Sequence, residues 1–354
     1  TIFAALTADV TGRGVAVAGD RFMRAIALSV DMAATLGVAA KSPIRFFRPA
    51  NAGIFGATLG LCFLRELSRE QMKDALGYAL AFNSGTMQAH IEGKPALPVQ
   101  IGNAARGAIM AADLAENGMP GPHDSLEGPY AYFSLFEEEV DTAGLASALG
   151  KTWRICEVSH KPYPTGRAAQ GGIYLAQQAW AQGLAIDDVC SVELSAPPLI
   201  NRLVGRPYQK EMSANYARLC FAYSGAIALM NGTVRLSDFD ISQLRHPSVE
   251  ELAAKINITV NDVTDPAAFG PQVLTIKLRN AQQVQFKTDA LFGSPEIPMS
   301  QEDQVSKVDD CLRFGFQRQD IEAHREKLLV ACHSLDTMSD VRNLLDLMTD
   351  EEGE

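Results

Sequence analysis

A mostly α-helical chain with a smaller α+β segment set into it is the fold class this sequence predicts, and three observations carry it. From residue 1 to about 150, apolar residues recur at helical spacing and no stretch alternates convincingly. Between about 155 and 292, four short alternating runs appear with two helical patterns interleaved. After Pro295 and Pro298 the helical period returns. The chain has 354 residues, room for about two domains at roughly 100–200 residues each. The expected division is a helical domain over 1–152, an α+β domain over 153–294, and a helical tail over 295–354.

In order, Asp20 is placed to cap a helix in which Met23, Ile26, Ala27, Val30 and Ala34 share a face, ending at Gly37. Gly53 to Leu64 is a small-residue helix suited to close helix contact. Ser68 and Gln71 form a capping box before the next helix. Ile101 to Ala115 is a further helix, and Leu126 to Phe136 a loop with a short aromatic segment. Gly12-Arg13-Gly14 follows no strand and lacks GxGxxG spacing, so it reads as a loop before a helix. Strands are expected at Val189–Ser195, Ile256–Val260, Val273–Leu278 and Val284–Thr288, the last two as a hairpin, with helices at Ala168–Ala181 and Ala214–Asn231. Ser300–Phe314, Gln319–Leu335 and Met338–Met348 read as helices. Asp350 to Glu354 reads as a solvated acidic end.

Composition excludes several functions. A net charge of −11 argues against nucleic acid and against acidic membrane surfaces as partners. No run reaches the roughly 18 uncharged apolar residues of a membrane span, and Thr1–Leu6 does not read as a signal peptide. The six cysteines (Cys62, Cys156, Cys190, Cys220, Cys311 and Cys332) show no metal spacing. They read as reduced thiols, mostly packed as small hydrophobes, in a cytoplasmic protein. No HxxxH or HExxH pair occurs, so no metal is expected.

Chemistry concentrates in one stretch, Ser159-His160-Lys161-Pro162-Tyr163-Pro164-Thr165-Gly166-Arg167. Two prolines stiffen it, since each fixes its own φ and restricts the residue before it. Thr165 is placed to N-cap the following helix, whose N-terminus favours anions. The bland alternative is a hinge carrying solvated charges. Other cations cluster in sequence: Arg45 and Arg48 around Phe46-Phe47, Lys94 near His90 and Glu92, and Arg202 and Arg206 before Tyr208. Converging cations on an acidic chain suit a small anionic substrate, because guanidinium binds carboxylate bidentately.

The stretch at 161–167 resembles the K-P-[YF]-P-x-x-R signature of the MmgE/PrpD family, which includes 2-methylcitrate dehydratase. Further blocks agree in order: Arg45–Ala50, Ala52–Ala57, Gly102–Ala105, Leu126–Pro129 and Ala222-Tyr223. The resemblance implies a helical domain with an inserted α+β domain, the helical tail returning to the first domain. It also implies a cofactor-independent lyase or isomerase that moves a proton alpha to a carboxylate of a small di- or tricarboxylate, 2-methylcitrate dehydratase-like. Such a reaction needs positive charge on the carboxylate and a positioned acid and base.

By the same resemblance Lys161 matches the signature lysine, and Tyr223 ends an A-x-x-[SC]-x-x-Y pattern over Ala217–Tyr223. The catalytic candidates are therefore Lys161, Tyr223 and His90. The substrate-binding candidates are Arg48, Lys94, Arg167, Thr165 and Arg206. Tyr223 reads alternatively as a core aromatic, and His90 as a structural histidine. The sequence departs from the family at Phe47 and Gln170, where many members carry histidine, and at Leu97, where many carry lysine. The family's Asp-rich, His-bearing first helices have no counterpart here. A non-catalytic carboxylate binder or partner subunit is the alternative reading. A homodimer is expected, because an Ala/Gly-rich bundle lacking those helices exposes apolar surface.

Overall fold

The structure, a computed structural model, describes residues 1–316 and 320–349. It forms two compact units: Thr1–Ile91, Pro95–Glu157 and the chain from Glu322 in one, Glu92–Lys94 and Val158–Ile321 in the other. The helix after Pro298 therefore stays with the second unit, and the chain rejoins the first unit at Glu322 rather than at 295.

The first unit holds α1 (Ile2–Arg13), α2 (Gly19–Ala39), α3 (Arg48–Leu64), α4 (Arg69–Ala81), α5 (Gln88–Glu92), α6 (Ala96–Glu116), α7 (Tyr132–Phe136) and α8 (Thr142–Ala148). Helix α3 is the hub: it is buried along nearly its whole length, and α1, α2, α4 and α6 pack on it. Its glycines permit this. A Cβ on Gly56 would lie 2.3 Å from the Ser29 carbonyl oxygen, and one on Gly60 2.0 Å from Ser29 Oγ. Close approach at those points sets the face of α2. Phe22, Ala25, Ser29 and Leu36 are buried, whereas Met23 is exposed and Ile26, Ala27, Val30 and Ala34 are half-buried. The expected stripe is thus off the contact line, because a glycine groove takes small residues such as Ala25 and Ser29. The helix also runs on past Gly37, and Asp20 lies inside its first turn rather than at the cap.

Among the described residues α2 is also the one helix long and apolar enough to cross a membrane. Arg24 and Asp31 interrupt it, which is why no uncharged run marks it in the sequence, and it packs on α3 as a core helix. The capping box at α4 is formed: Gln71 N donates to Ser68 Oγ at 3.3 Å and Ser68 N to Gln71 Oε1 at 3.0 Å. Buried Arg65 ties α1, α3 and α6 together, meeting Asp9 at 2.5 Å, Asp113 at 2.8 Å and Glu116 at 3.0 Å. Gly12 and Arg13 finish α1, and Gly14 closes it in the left-handed conformation.

The second unit holds α9 (Gln170–Ala181), β1 (Val189–Ala196), α10 (Pro198–Val204), α11 (Ala214–Ala217), α12 (Phe221–Asn231), α13 (Ile241–Leu244), α14 (Pro247–Ala253), β2 (Ile256–Val260), β3 (Gln272–Leu278), β4 (Gln283–Thr288) and α15 (Gln301–Gly315). The strand order is β2-β1-β3-β4: β1 runs parallel to β2, with Val192 opposite Ile256, and antiparallel to β3. The expected hairpin is β3–β4, with Leu274 opposite Phe286. Helices α9 and α12 pack on each other and on the strands, burying Ile173, Leu175, Leu194, Phe221, Leu274 and Ile276. The helix expected over Ala214–Asn231 is broken. Cys220 is extended, bridges to Gly205 through the backbone, and so separates α11 from α12.

Helices α16 (Ile321–His333) and α17 (Arg342–Asp346) complete the chain. The expected helix start at Gln319 and the acidic end at Asp350–Glu354 lie outside the described residues. All six cysteines are free, but only Cys62 and Cys220 are buried, and the other four are exposed rather than packed.

The α2–α3 contact makes a direct prediction. Gly56→Ala forces a methyl against a backbone carbonyl and is expected to cost about 1–3 kcal/mol, the range of core overpacking. Gly37→Ala, which meets nothing within 4 Å, is expected to be neutral or to stabilise by up to about 1 kcal/mol through helix propensity. Thermal denaturation of the two variants checks the contrast.

Candidate functional site

The stiff stretch before α9 folds into a turn fixed from three directions. His160 N donates to the Gly293 carbonyl at 2.8 Å, and Gly166 N donates to the Arg218 carbonyl at 3.0 Å. From within, the buried Gln170 side chain spans the turn. Its Oε1 accepts from Tyr163 N at 3.3 Å, and its Nε2 donates to Thr165 Oγ1 at 2.6 Å and to the Tyr163 carbonyl at 3.3 Å. Thr165 is accordingly not a helix cap. A short 3₁₀ turn, Arg167–Ala169, separates it from α9, and its hydroxyl is held by Gln170 instead.

The turn presents Lys161 to a pocket of about 460 Å³, a size usual for small-molecule sites. Gln177 of α9 stands in its wall and accepts from the Tyr163 phenol at 2.6 Å. Across from the turn, α15 contributes Asp303 and Lys307, and Arg235 enters from the loop after α12. The carboxylates here are engaged. Asp303 Oδ2 accepts from Ser300 N at 2.9 Å and Ser300 Oγ at 2.6 Å, closing the cap of α15. Asp310 accepts from Leu236 N at 3.1 Å, and Asp309 from Arg313 Nε at 2.6 Å.

Lys161 has no hydrogen bond or ion pair among the described residues. Part of its side chain is open to solvent, yet the pocket walls desolvate the amine. That desolvation, then repulsion from Lys307 and Arg167, holds its pKa below the ordinary lysine value.

The structure does not bring the remaining candidates to this pocket. Tyr223 is fully buried; its hydroxyl donates to the Asp238 carbonyl and its ring packs on Phe239. Burial pushes its phenol pKa up, so it is a core residue of α12 rather than a wall of the pocket. Arg167 stays near Lys161, but its guanidinium lies 4.5 Å over the Phe269 ring and donates to Ser159 Oγ. Arg206 stacks over Tyr216 at 4.9 Å and lines a separate cavity of about 330 Å³. Arg48, in the first unit, is held by Glu137 through Nε and Nη2 at 3.1 and 2.8 Å, and donates to the Ser42 carbonyl. Arg45 pairs with Glu138. His90 is buried in α5 of the first unit. Lys94 is exposed beside Gly93, whose carbonyl accepts from Ser213 Oγ in the second unit. Among the described residues no three His, Cys, Asp or Glu side chains gather as a metal site.

Two family domains account for most of the chain: the MmgE/PrpD N-terminal domain matches residues 2–145, and the MmgE/PrpD C-terminal domain residues 163–334. The chain belongs to the MmgE/PrpD family. It is 26% identical over 276 residues to cis-aconitate decarboxylase of Homo sapiens, covering 75% of this chain and 56% of that protein. The Mus musculus cis-aconitate decarboxylase is 25% identical over 279 residues, covering 75% and 55%. The chain thus spans a little over half the length of these curated relatives.

In this MmgE/PrpD chain, sequence reasoning missed Lys307 and Arg235. Asp303 and Lys307 stand at i,i+4 on a helix, a spacing that ordinarily marks a surface ion pair. The Ser300 cap takes that aspartate and leaves the lysine to the pocket. The visible signal was Ser300 followed by Asp303 at capping-box spacing.

The placement of Tyr223 is testable. Tyr223→Phe removes one buried hydrogen bond and leaves the Asp238 carbonyl to find another donor, an expected loss of about 1–3 kcal/mol. Ligand binding at the Lys161 pocket is expected to stay unchanged, as measured by denaturant unfolding and calorimetry on the same variant.

Proposed function

We propose that this chain is a cofactor-independent lyase or isomerase that acts on a small di- or tricarboxylate, with Lys161 holding the carboxylate beside the reacting carbon. One observation carries the reading: an ammonium on a rigid turn that lines a pocket, with Lys307 and Arg167 as the charges that depress it and no carboxylate among the described residues in ion-pair contact with it. A substrate carboxylate supplies the missing counter-charge. As a proton leaves the adjacent carbon, negative charge spreads onto that carboxylate, and a fixed ammonium stabilises the transition state more than the ground state. A depressed amine pKa also brings Lys161 closer to the range in which an amine exchanges a proton with its ligand. The family membership and the two cis-aconitate decarboxylases support the substrate class.

A binder without catalysis is the second reading, favoured by Tyr223 and Gln170. Both occupy positions where the family resemblance suggests chemistry, and both side chains are spent on holding the fold. Deuterium exchange separates the two readings. With citrate or another di- or tricarboxylate in D₂O, an enzyme exchanges a proton alpha to a carboxylate, whereas a binder is stabilised by the ligand and exchanges nothing.

For the enzyme, Lys161→Met is expected to reduce exchange about a hundred- to thousandfold, the effect typical of one charge-stabilising contact, with the circular dichroism spectrum unchanged. Exchange at the parent rate would make the turn a hinge and end the proposal. The pH dependence follows the sign of the shift. Binding needs the ammonium form, so affinity is present below the depressed pKa of Lys161 and declines as pH rises through it. That decline is expected below the usual lysine range near ~10.4, and Lys161→Met is expected to flatten it; calorimetric titrations across the alkaline range measure both.

A further inference from the structure

Two lysines line this pocket without an ion-pair partner among the described residues. Lys307 forms no hydrogen bond or ion pair among the described residues, and it is close enough to Lys161 for the two charges to repel. The acids that line the pocket form no ion pair with either lysine among the described residues: Asp303 accepts from Ser300, Asp310 from Leu236 N and Asp309 from Arg313. Arg235 differs, since it interacts electrostatically with Asp238. Placement makes the pair useful. Lys161 stands on the turn and Lys307 two helical turns into α15, so the ammonium groups enter the pocket from different elements.

We propose that Lys307 holds a second carboxylate of the ligand whose first carboxylate lies on Lys161, so that the pocket selects acids carrying two carboxylates over acids carrying one. This rests on the carboxylate reading of the Lys161 pocket and adds a specificity-determining residue to it. One carboxylate neutralises one lysine and leaves the other uncompensated. A dicarboxylate neutralises both, removes their mutual repulsion, and adds a charge-assisted contact at each end. Of the remaining wall, the Tyr163–Gln177 hydrogen bond is neutral, whereas Asp303, Asp309 and Asp310 are anionic and Arg235 and Arg313 cationic, so the ligand's carboxylates are steered to the two lysines and away from the aspartates.

The experiment measures affinities of citrate, tricarballylate, propionate and inorganic phosphate for the parent chain, Lys307→Gln, Lys307→Arg and Lys287→Gln. Lys287 is an exposed lysine of β4 outside the pocket and serves as the control. The expected result is that Lys307→Gln weakens citrate and tricarballylate about ten- to hundredfold, the worth of one charge-assisted contact, and leaves propionate unchanged. Lys307→Arg retains most of the affinity, and Lys287→Gln all of it. Acetylation of lysines read by mass spectrometry gives a second view: citrate is expected to protect Lys161 and Lys307 together. If citrate binds and protects Lys161 while Lys307→Gln binds as the parent does, the clamp is wrong and the functional proposal stands. If phosphate binds as tightly as citrate and depends on both lysines, the site is a general anion site and the two-carboxylate selection is overturned. If the parent binds no di- or tricarboxylate, the functional reading fails and the clamp fails with it.

Discussion

The Gln170 side chain is the constraint on which the candidate site depends. A buried primary amide must satisfy both its donors and its acceptor or incur a desolvation cost. Here it does so inside one turn, accepting from Tyr163 N and donating to Thr165 Oγ1 and the Tyr163 carbonyl. Proline at 162 and 164 removes two backbone donors and fixes two φ angles, so few conformations of this segment remain. The amide selects among them. Lys161 consequently leaves the backbone from a fixed point, and positional certainty is what an electrostatic contact to a developing charge requires. The family resemblance suggests histidine at this position; glutamine keeps a hydrogen-bonding role there but brings no group that titrates near neutrality.

Charge is distributed by the same economy. Several cations of this acidic chain find acids: Arg48 with Glu137, Arg45 with Glu138, and Arg65 with three carboxylates at the contact of α1, α3 and α6. The buried contacts, Arg48–Glu137 and Arg65–Asp9, specify which segments meet, and removing one partner would strand the other. Among the described residues Lys161 and Lys307 form no ion pair although both line one pocket, while the aspartates that share it accept from Ser300, Leu236 N and Arg313. A protein that keeps two like charges uncompensated in a pocket is less stable for it, and an anionic ligand recovers the difference.

Tyr223 shows how a motif position can lose its meaning in three dimensions. Its phenol satisfies a backbone carbonyl and its ring fills the space between α12 and Phe239. A side chain with no exposed surface cannot pass a proton to a ligand in the Lys161 pocket. The residues of the A-x-x-[SC]-x-x-Y pattern span the junction at Cys220, where the backbone leaves α11, bridges to Gly205 and re-enters a helix as α12.

Local physics made much of this protein legible from its sequence. The alternation of Val189–Ala196, Val273–Leu278 and Val284–Thr288 predicts strands because side chains must reach opposite faces of a sheet. The Ser68–Gln71 box forms because both partners lie within one turn. The mostly helical class with an α+β segment, the turn at 159–167 and the prominence of Lys161 follow from residues near one another in the chain. What tertiary structure alone decided involves residues distant in sequence. The glycine groove of α3 turned α2 onto its small-residue face. Glu137 claimed Arg48 across 89 positions. Ser300 claimed Asp303, and so left Lys307, almost 150 residues from Lys161, to face it. Sequence shows which groups a chain possesses. Which of them remain uncompensated depends on competition among partners that only the folded chain brings within a few ångströms.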